Sequence, residues 1–147
     1  PRAEKALDEA FNRLTEGALP EEDSVRVMGR EIKVLSAARG VARFTFDELC
    51  RTALGPGDYL AIAARYHTLL LSGVPKLGEN LRNEARRFMT LIDALYEHKV
   101  KLIVSADAPP QNLYPRGHGA FEFQRTVSRL EEMRSPEYLA LQHRPRG

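Results

Sequence analysis

Two apolar runs separated by one long amphipathic segment constrain this chain more than any other feature. His67–Leu71 (HTLLL) and Val100–Val104 (VKLIV) are short and almost continuously apolar. Runs of that length suit strands buried on both faces of a sheet. Between them, Glu79–His98 places Leu81, Ala85, Phe88, Ile92 and Leu95 at three- and four-residue steps, and Met89 and Tyr96 widen that stripe. Arg82, Arg86, Asp93 and Glu97 fall off it. This is the pattern of a helix with one buried face. Strand, helix and strand form a βαβ unit, so the two strands should be parallel and the crossover right-handed. In open α/β sheets, ligands sit beyond the carboxyl ends of the strands. The polar turn Ser105–Pro110 occupies that position, with Ser105 and Asp107 as its candidate groups.

The flanking segments add antiparallel strands and covering helices. Ala3, Ala6, Leu7, Ala10, Phe11 and Leu14 predict a helix over 2–16, followed by a polar loop through Asp23. Ser24–Met28 and Glu31–Leu35 alternate about Gly29-Arg30 and predict a hairpin. Val41–Phe46 reads as a third strand, with Asp47 capping a short helix through Cys50. After the breaker cluster Gly55-Pro56-Gly57, Asp58 reads as the cap of a helix over Tyr59–Tyr66. Phe121 and Phe123 alternate as a small strand or packed corner, and Gln124–Arg134 reads as a helix. Ser135-Pro136-Glu137 is a helix start, and residues 140–147 form a tail expected to be loose. The expected fold is α/β: a small mixed sheet with a parallel βαβ unit, an N-terminal antiparallel hairpin region and covering helices. Its expected organisation is one domain over 1–147, with a helix-and-loop unit at 1–23.

Several chemistries lack their residues. Neither GxxxxGK[ST] nor a GxGxxG after a strand occurs. The run His67–Leu71 leads into Ser72-Gly73-Val74, where a P-loop enzyme needs acidic residues for magnesium. The chain alone is therefore not expected to hydrolyse a nucleotide. Its four histidines (67, 98, 118 and 143) are scattered without ligand spacing, so no metal site is expected. His67 reads as a packing residue. Cys50, the one cysteine, follows Leu49 in an apolar run and reads as a buried thiol, in keeping with a reducing compartment. No apolar run approaches the roughly 18 residues that span a membrane.

The basic residues are 17 Arg against 5 Lys, yet the net charge is only +2. Bulk charge therefore gives no nucleic-acid footprint. Arg82, Arg86 and Arg87 lie along the crossover helix, and Arg125 and Arg129 are one turn apart. One reading is a set of helix-surface ion pairs, with Arg129 against Glu132 or Glu122. The other is recognition of phosphate or carboxylate.

Six motifs then occur in order. They are FDELC (Phe46–Cys50), GDY (Gly57–Tyr59), HTLLLSGVP (His67–Pro75), ARRFMTLIDALYEHKVKL (Ala85–Leu102), FEFQRTVSRLEEM (Phe121–Met133) and SPEYL (Ser135–Leu139). Together they resemble the C-terminal part of the ZapE / Afg-one family of AAA+ ATPases, over roughly Arg30 to Pro145. The resemblance implies that the phosphate loop, the acidic strand and the first sensor lie upstream of Pro1. It implies ATP and magnesium as cofactors of the parent protein, and none for this piece alone. It implies an upstream ATPase core and a protein partner, FtsZ-like in the bacterial branch, with an oligomer left open. It implies a cell-division or protein-quality-control role and a cytoplasmic setting, at most peripheral to a membrane. Arg86, Arg87, Arg125 and Arg129 fall in these motifs and are candidates to sense a nucleotide. The order of strand, helix, strand and Ser-Ala-Asp imitates a P-loop domain that has lost its acidic pair. The alternative is a stand-alone protein-interaction module without catalytic activity.

Overall fold

The computed structural model describes residues 2–146. Pro1 and Gly147, the outermost residues of the expected N-terminal unit and tail, lie outside the described residues. The chain forms helix α1 (Arg2–Leu14), strands β1 (Glu21–Val27), β2 (Arg30–Ala38) and β3 (Val41–Thr45), and helices α2 (Phe46–Cys50) and α3 (Pro56–Arg65). Strand β4 (Thr68–Val74), helix α4 (Arg82–Glu97) and strand β5 (Lys101–Ala106) make the central unit. Helices α5 (Pro110–Leu113), α6 (Ala120–Glu132) and α7 (Pro136–Leu139) complete it.

The five strands lie in sequence order, β1-β2-β3-β4-β5. The first two pairings are antiparallel, while β3, β4 and β5 are parallel. The βαβ unit is as expected: Thr68 to Leu71 pair with Lys101 to Val104 in register. The sheet thus has three parallel strands, one more than the periodicity indicated. Strand β3 becomes parallel because α2 and α3 carry the chain back before β4 starts.

Helices cover both faces unequally. On one face Phe46, Leu49, Tyr59, Ile62, Phe88, Leu91 and Phe123 pack over Phe44, Leu69 and Leu71. On the other, among the described residues, α1 lays Leu7, Ala10 and Phe11 on Val41 and Leu70. Burial of this apolar area is the main force holding the layers together. Arg43 ties α1 to β3, donating to Glu4 at 2.9 Å and to Asp8.

The structure corrects several expectations. Strand β1 begins at Glu21, so the acidic segment expected as loop is strand at the sheet's outer edge. The cap of α2 is Thr45, whose hydroxyl accepts from the Glu48 amide while the Glu48 carboxylate accepts from the Thr45 amide. Asp47 lies inside that helix and pairs with Arg51 at 2.7 Å. Asp58 sits one turn inside α3, which starts at Pro56, and its carboxylate accepts from the Gly55 amide at 2.7 Å. Phe121 and Phe123 belong to α6, where two residues' separation turns them apart: Phe123 is buried and Phe121 is 86% exposed. Strand β5 is not buried on both faces, because it forms the other edge of the sheet.

The tail is bonded in place as far as Arg144. The Lys101 ammonium donates to the Leu141 carbonyl at 2.6 Å, and the Arg144 amide donates to the His98 carbonyl at 2.8 Å. His143 Nε2 lies 2.7 Å from the Ala63 carbonyl oxygen.

Candidate functional site

The polar turn after β5 closes one end of a groove of about 650 Å³. Leu102, Val104 and Ala106 give its β5 side. Phe88 of α4 and Leu130, Met133 and Arg134 of α6 and its end supply the opposite side, with Asp107, Pro109, Pro110 and Leu113 at the end. The lining is mostly apolar, with Asp107 and Arg134 as its charged members. Ser105 Oγ accepts from the Gly73 amide at 3.0 Å, and the Asp107 amide donates to the Val74 carbonyl at 2.9 Å. Both candidate residues of the turn thus spend hydrogen bonds on holding β5 to β4. The turn has no glycine-rich cradle of free amides, so its donor set does not fit a magnesium-bound triphosphate.

The four candidate arginines separate into three places. Arg125 and Arg129 converge on Asp93 of α4, each at 2.6 Å, and take one carboxylate oxygen apiece. The Arg129 guanidinium also lies 4.7 Å from the Tyr96 ring centre. The Tyr96 hydroxyl donates to Glu132 at 2.8 Å, and that carboxylate beside it raises the phenol's pKa. Both arginines are thus ion-paired within the fold, and their partner is Asp93 on α4, not Glu122 or Glu132. Arg87 donates to the Cys50 carbonyl at 3.0 Å and pins α4 to the end of α2.

Arg86 is different. It is exposed, and its guanidinium has no hydrogen-bond or ion-pair partner among the described residues. It lines a second groove of about 210 Å³ with Arg82, Met89, Tyr114, His118, Gly119 and Glu122. The wall opposite α4 is the start of α6. Gly117 and Gly119 there have φ of 111° and 91°, a left-handed backbone that glycine adopts without strain. The loop is held by the His118 amide, which donates to Glu79, and by the Tyr114 hydroxyl, which donates to the His118 carbonyl. The sequence names Arg86 and marks Pro115–Gly119 as a turn, but only the fold sets the two face to face.

No described helix is long and apolar enough to cross a membrane.

The model of a family described as AFG1-like ATPase matches residues 1–142. The cell division protein ZapE of Escherichia coli is 35% identical over 93% of this chain, which covers 36% of ZapE. An uncharacterized protein of Schizosaccharomyces pombe is 35% identical over 95% of the chain, and 37% of that protein is covered. The Danio rerio protein named lactation elevated protein 1 homolog B is 34% identical over 94% of the chain and 34% of its own length. The chain thus spans a little over a third of the curated relatives it matches. No solved structure matches it.

Proposed function

This chain belongs to the AFG1-like ATPase family, and we propose that it is a C-terminal accessory domain of a longer ATPase. In this reading an upstream core supplies the phosphate loop and the magnesium ligands, and binds ATP. This domain supplies a cation that faces the nucleotide. The observation that carries the reading is the free guanidinium of Arg86. Arg87, Arg125 and Arg129 are engaged within the fold. Arg86 stands beside Arg82, across from the first turn of α6, where amide groups and the helix dipole favour negative charge. Arginine suits such a contact because it stays charged and presents several donors to phosphate oxygens.

The test is made in a longer family protein carrying this domain. Arg86→Ala should slow ATP turnover about 10³-fold, the low end for an arginine that stabilises a transferring phosphoryl group. Arg129→Ala should change stability and leave turnover near wild type. Equal turnover for wild type and Arg86→Ala rejects the assignment.

A second reading is an interaction module, favoured by the apolar groove beside β5. The partner would be a protein, of the FtsZ type if the role follows that of the relative named for cell division. Calorimetric titration of the purified chain with such a partner tests it. Absence of binding at tens of micromolar, with Leu130→Asp as the control, removes it.

A further inference from the structure

The outer edge of β5 is an unprotected strand edge. The Lys101 amide donates to the His67 carbonyl and the Asp107 amide to the Val74 carbonyl, so these residues turn their backbone groups toward β4. Strand alternation then turns the amides and carbonyls of Leu102, Val104 and Ala106 outward. Outside the β4 ladder, no described residue bonds them. Natural sheets blunt such edges with a charge, a proline or a bulge. Leu102–Ala106 carries none of these on its outer positions. Apolar surface surrounds it instead: Val104 is 39% exposed, and Leu141, tied to the strand's start through Lys101, is 43% exposed.

We propose that this edge pairs with β5 of a second copy of the chain, antiparallel and centred on Val104. The charges at the strand's two ends select this occupant and this direction. Lys101 stands at the start, its ammonium held by the Tyr138 and Leu141 carbonyls at 3.0 and 2.6 Å, and Asp107 stands just past the end; neither charge has an ion-pair partner among the described residues. Pairing Val104 with Val104 sets Leu102 opposite Ala106 and Lys101 opposite Asp107 of the second copy. The two-fold axis repeats each contact, as an isologous interface requires. A parallel arrangement would place like charges together. Opposite charges directly across an antiparallel ladder stabilise it, and like charges weaken it. Main-chain bonds from three outward residues supply affinity, as in other strand additions. The result is a continuous ten-stranded sheet, with the two grooves meeting across the axis.

Sedimentation equilibrium of the 147-residue chain reads this out. Wild type should run at twice its 16.6 kDa mass at about 100 µM. Val104→Lys should run at the single-chain mass with an unchanged circular dichroism spectrum. Asp107→Lys alone and Lys101→Glu alone should each weaken association at least tenfold. Mixed in equal amounts, these two variants should form a heterodimer as tight as the wild-type dimer, because both cross-strand pairs are then opposite in sign. That rescue also answers any local effect of Lys101→Glu on the tail. A monomeric wild type at 100 µM overturns the proposal, leaving the edge to a strand from elsewhere. So does an oligomer indifferent to Val104→Lys, or a mixture that fails to associate.

Discussion

Asp93 on α4 receives the Arg129 guanidinium at 2.6 Å, and this contact joins the two helices that cover the β4–β5 half of the sheet. Both side chains are about two-thirds buried, with exposures of 27% and 32%. Arg125 adds a second contact to the same carboxylate, but its side chain is 66% exposed. Solvent screens the outer pair more than the inner one. Arg125→Ala should therefore cost a few tenths of a kcal/mol and Arg129→Ala about 1 kcal/mol, the latter including its stacking on Tyr96. Asp93→Ala should cost at least as much as Arg129→Ala, since it leaves two cations together. Urea denaturation of the three variants measures this. Equal costs for Arg125→Ala and Arg129→Ala would contradict the ordering.

Asp23 links β1 to α3. It accepts from the Tyr66 hydroxyl and from Arg65, each at 2.8 Å, and from the Ser24 amide. The Tyr66 bond is the largest influence lowering its pKa, ahead of Arg65, and burial opposes it. A depressed folded pKa means that the ionised form is the one bound. The stabilisation is complete above the unfolded value near 4 and fades as pH falls through the lower folded value. Asp23→Asn should therefore narrow its stability gap to wild type between pH 6 and pH 2. Tyr66→Phe should move the acid limb of the stability curve upward in pH. Thermal melts across that range check both, and a gap that widens on acidification reverses the sign.

The legible parts of this fold were those set by local pattern. The stripe on α4 and the two apolar runs fixed the parallel unit, because period and burial are properties of neighbouring residues. Strand β5 misled because its composition matches that of a buried strand, while its edge position depends on what else joins the sheet. Phe121 and Phe123 misled because two apolar residues two apart fit a strand as well as a helix. The left-handed Gly119 before them decides for the helix. The site was less legible. Asp93 is 32 and 36 residues from the arginines it binds, and only the packing of α4 on α6 brings them together. Arg86 looked equivalent to Arg87 in the sequence. One helical step, about 100°, turns Arg87 to the Cys50 carbonyl and Arg86 to solvent.

Cys50 is fully buried at the end of α2, and burial pushes its thiol up to about 12. Arg87 lowers it in part. The reactive species is the thiolate, so the folded chain should resist alkylation. Iodoacetamide at pH 8 should leave native protein unlabelled over an hour and label it fully in guanidinium. Prompt labelling of the native chain would show an accessible, ionised thiol and contradict the packing.

Gly40 marks where the β2–β3 turn meets the start of β4. Its carbonyl accepts from the His67 amide at 2.9 Å, and the His67 ring folds over it, with Nε2 2.9 Å from the Arg39 carbonyl oxygen. A Cβ on Gly40 would lie 2.5 Å from His67 Cδ2, and the backbone φ there is +80°. Gly40→Ala therefore meets two penalties. The left-handed backbone costs about 1–2 kcal/mol for a side-chain-bearing residue, and the clash with the ring adds about 1–3 kcal/mol unless the ring moves. His67→Ala removes the ring and with it the second penalty, while the backbone cost remains. A double-mutant cycle by chemical denaturation separates them. The pair should be less destabilised than the sum of the two single variants by about 1 kcal/mol or more. Strict additivity would mean that the imidazole swings clear of residue 40 without cost, and that His67 does not fix the entry into β4.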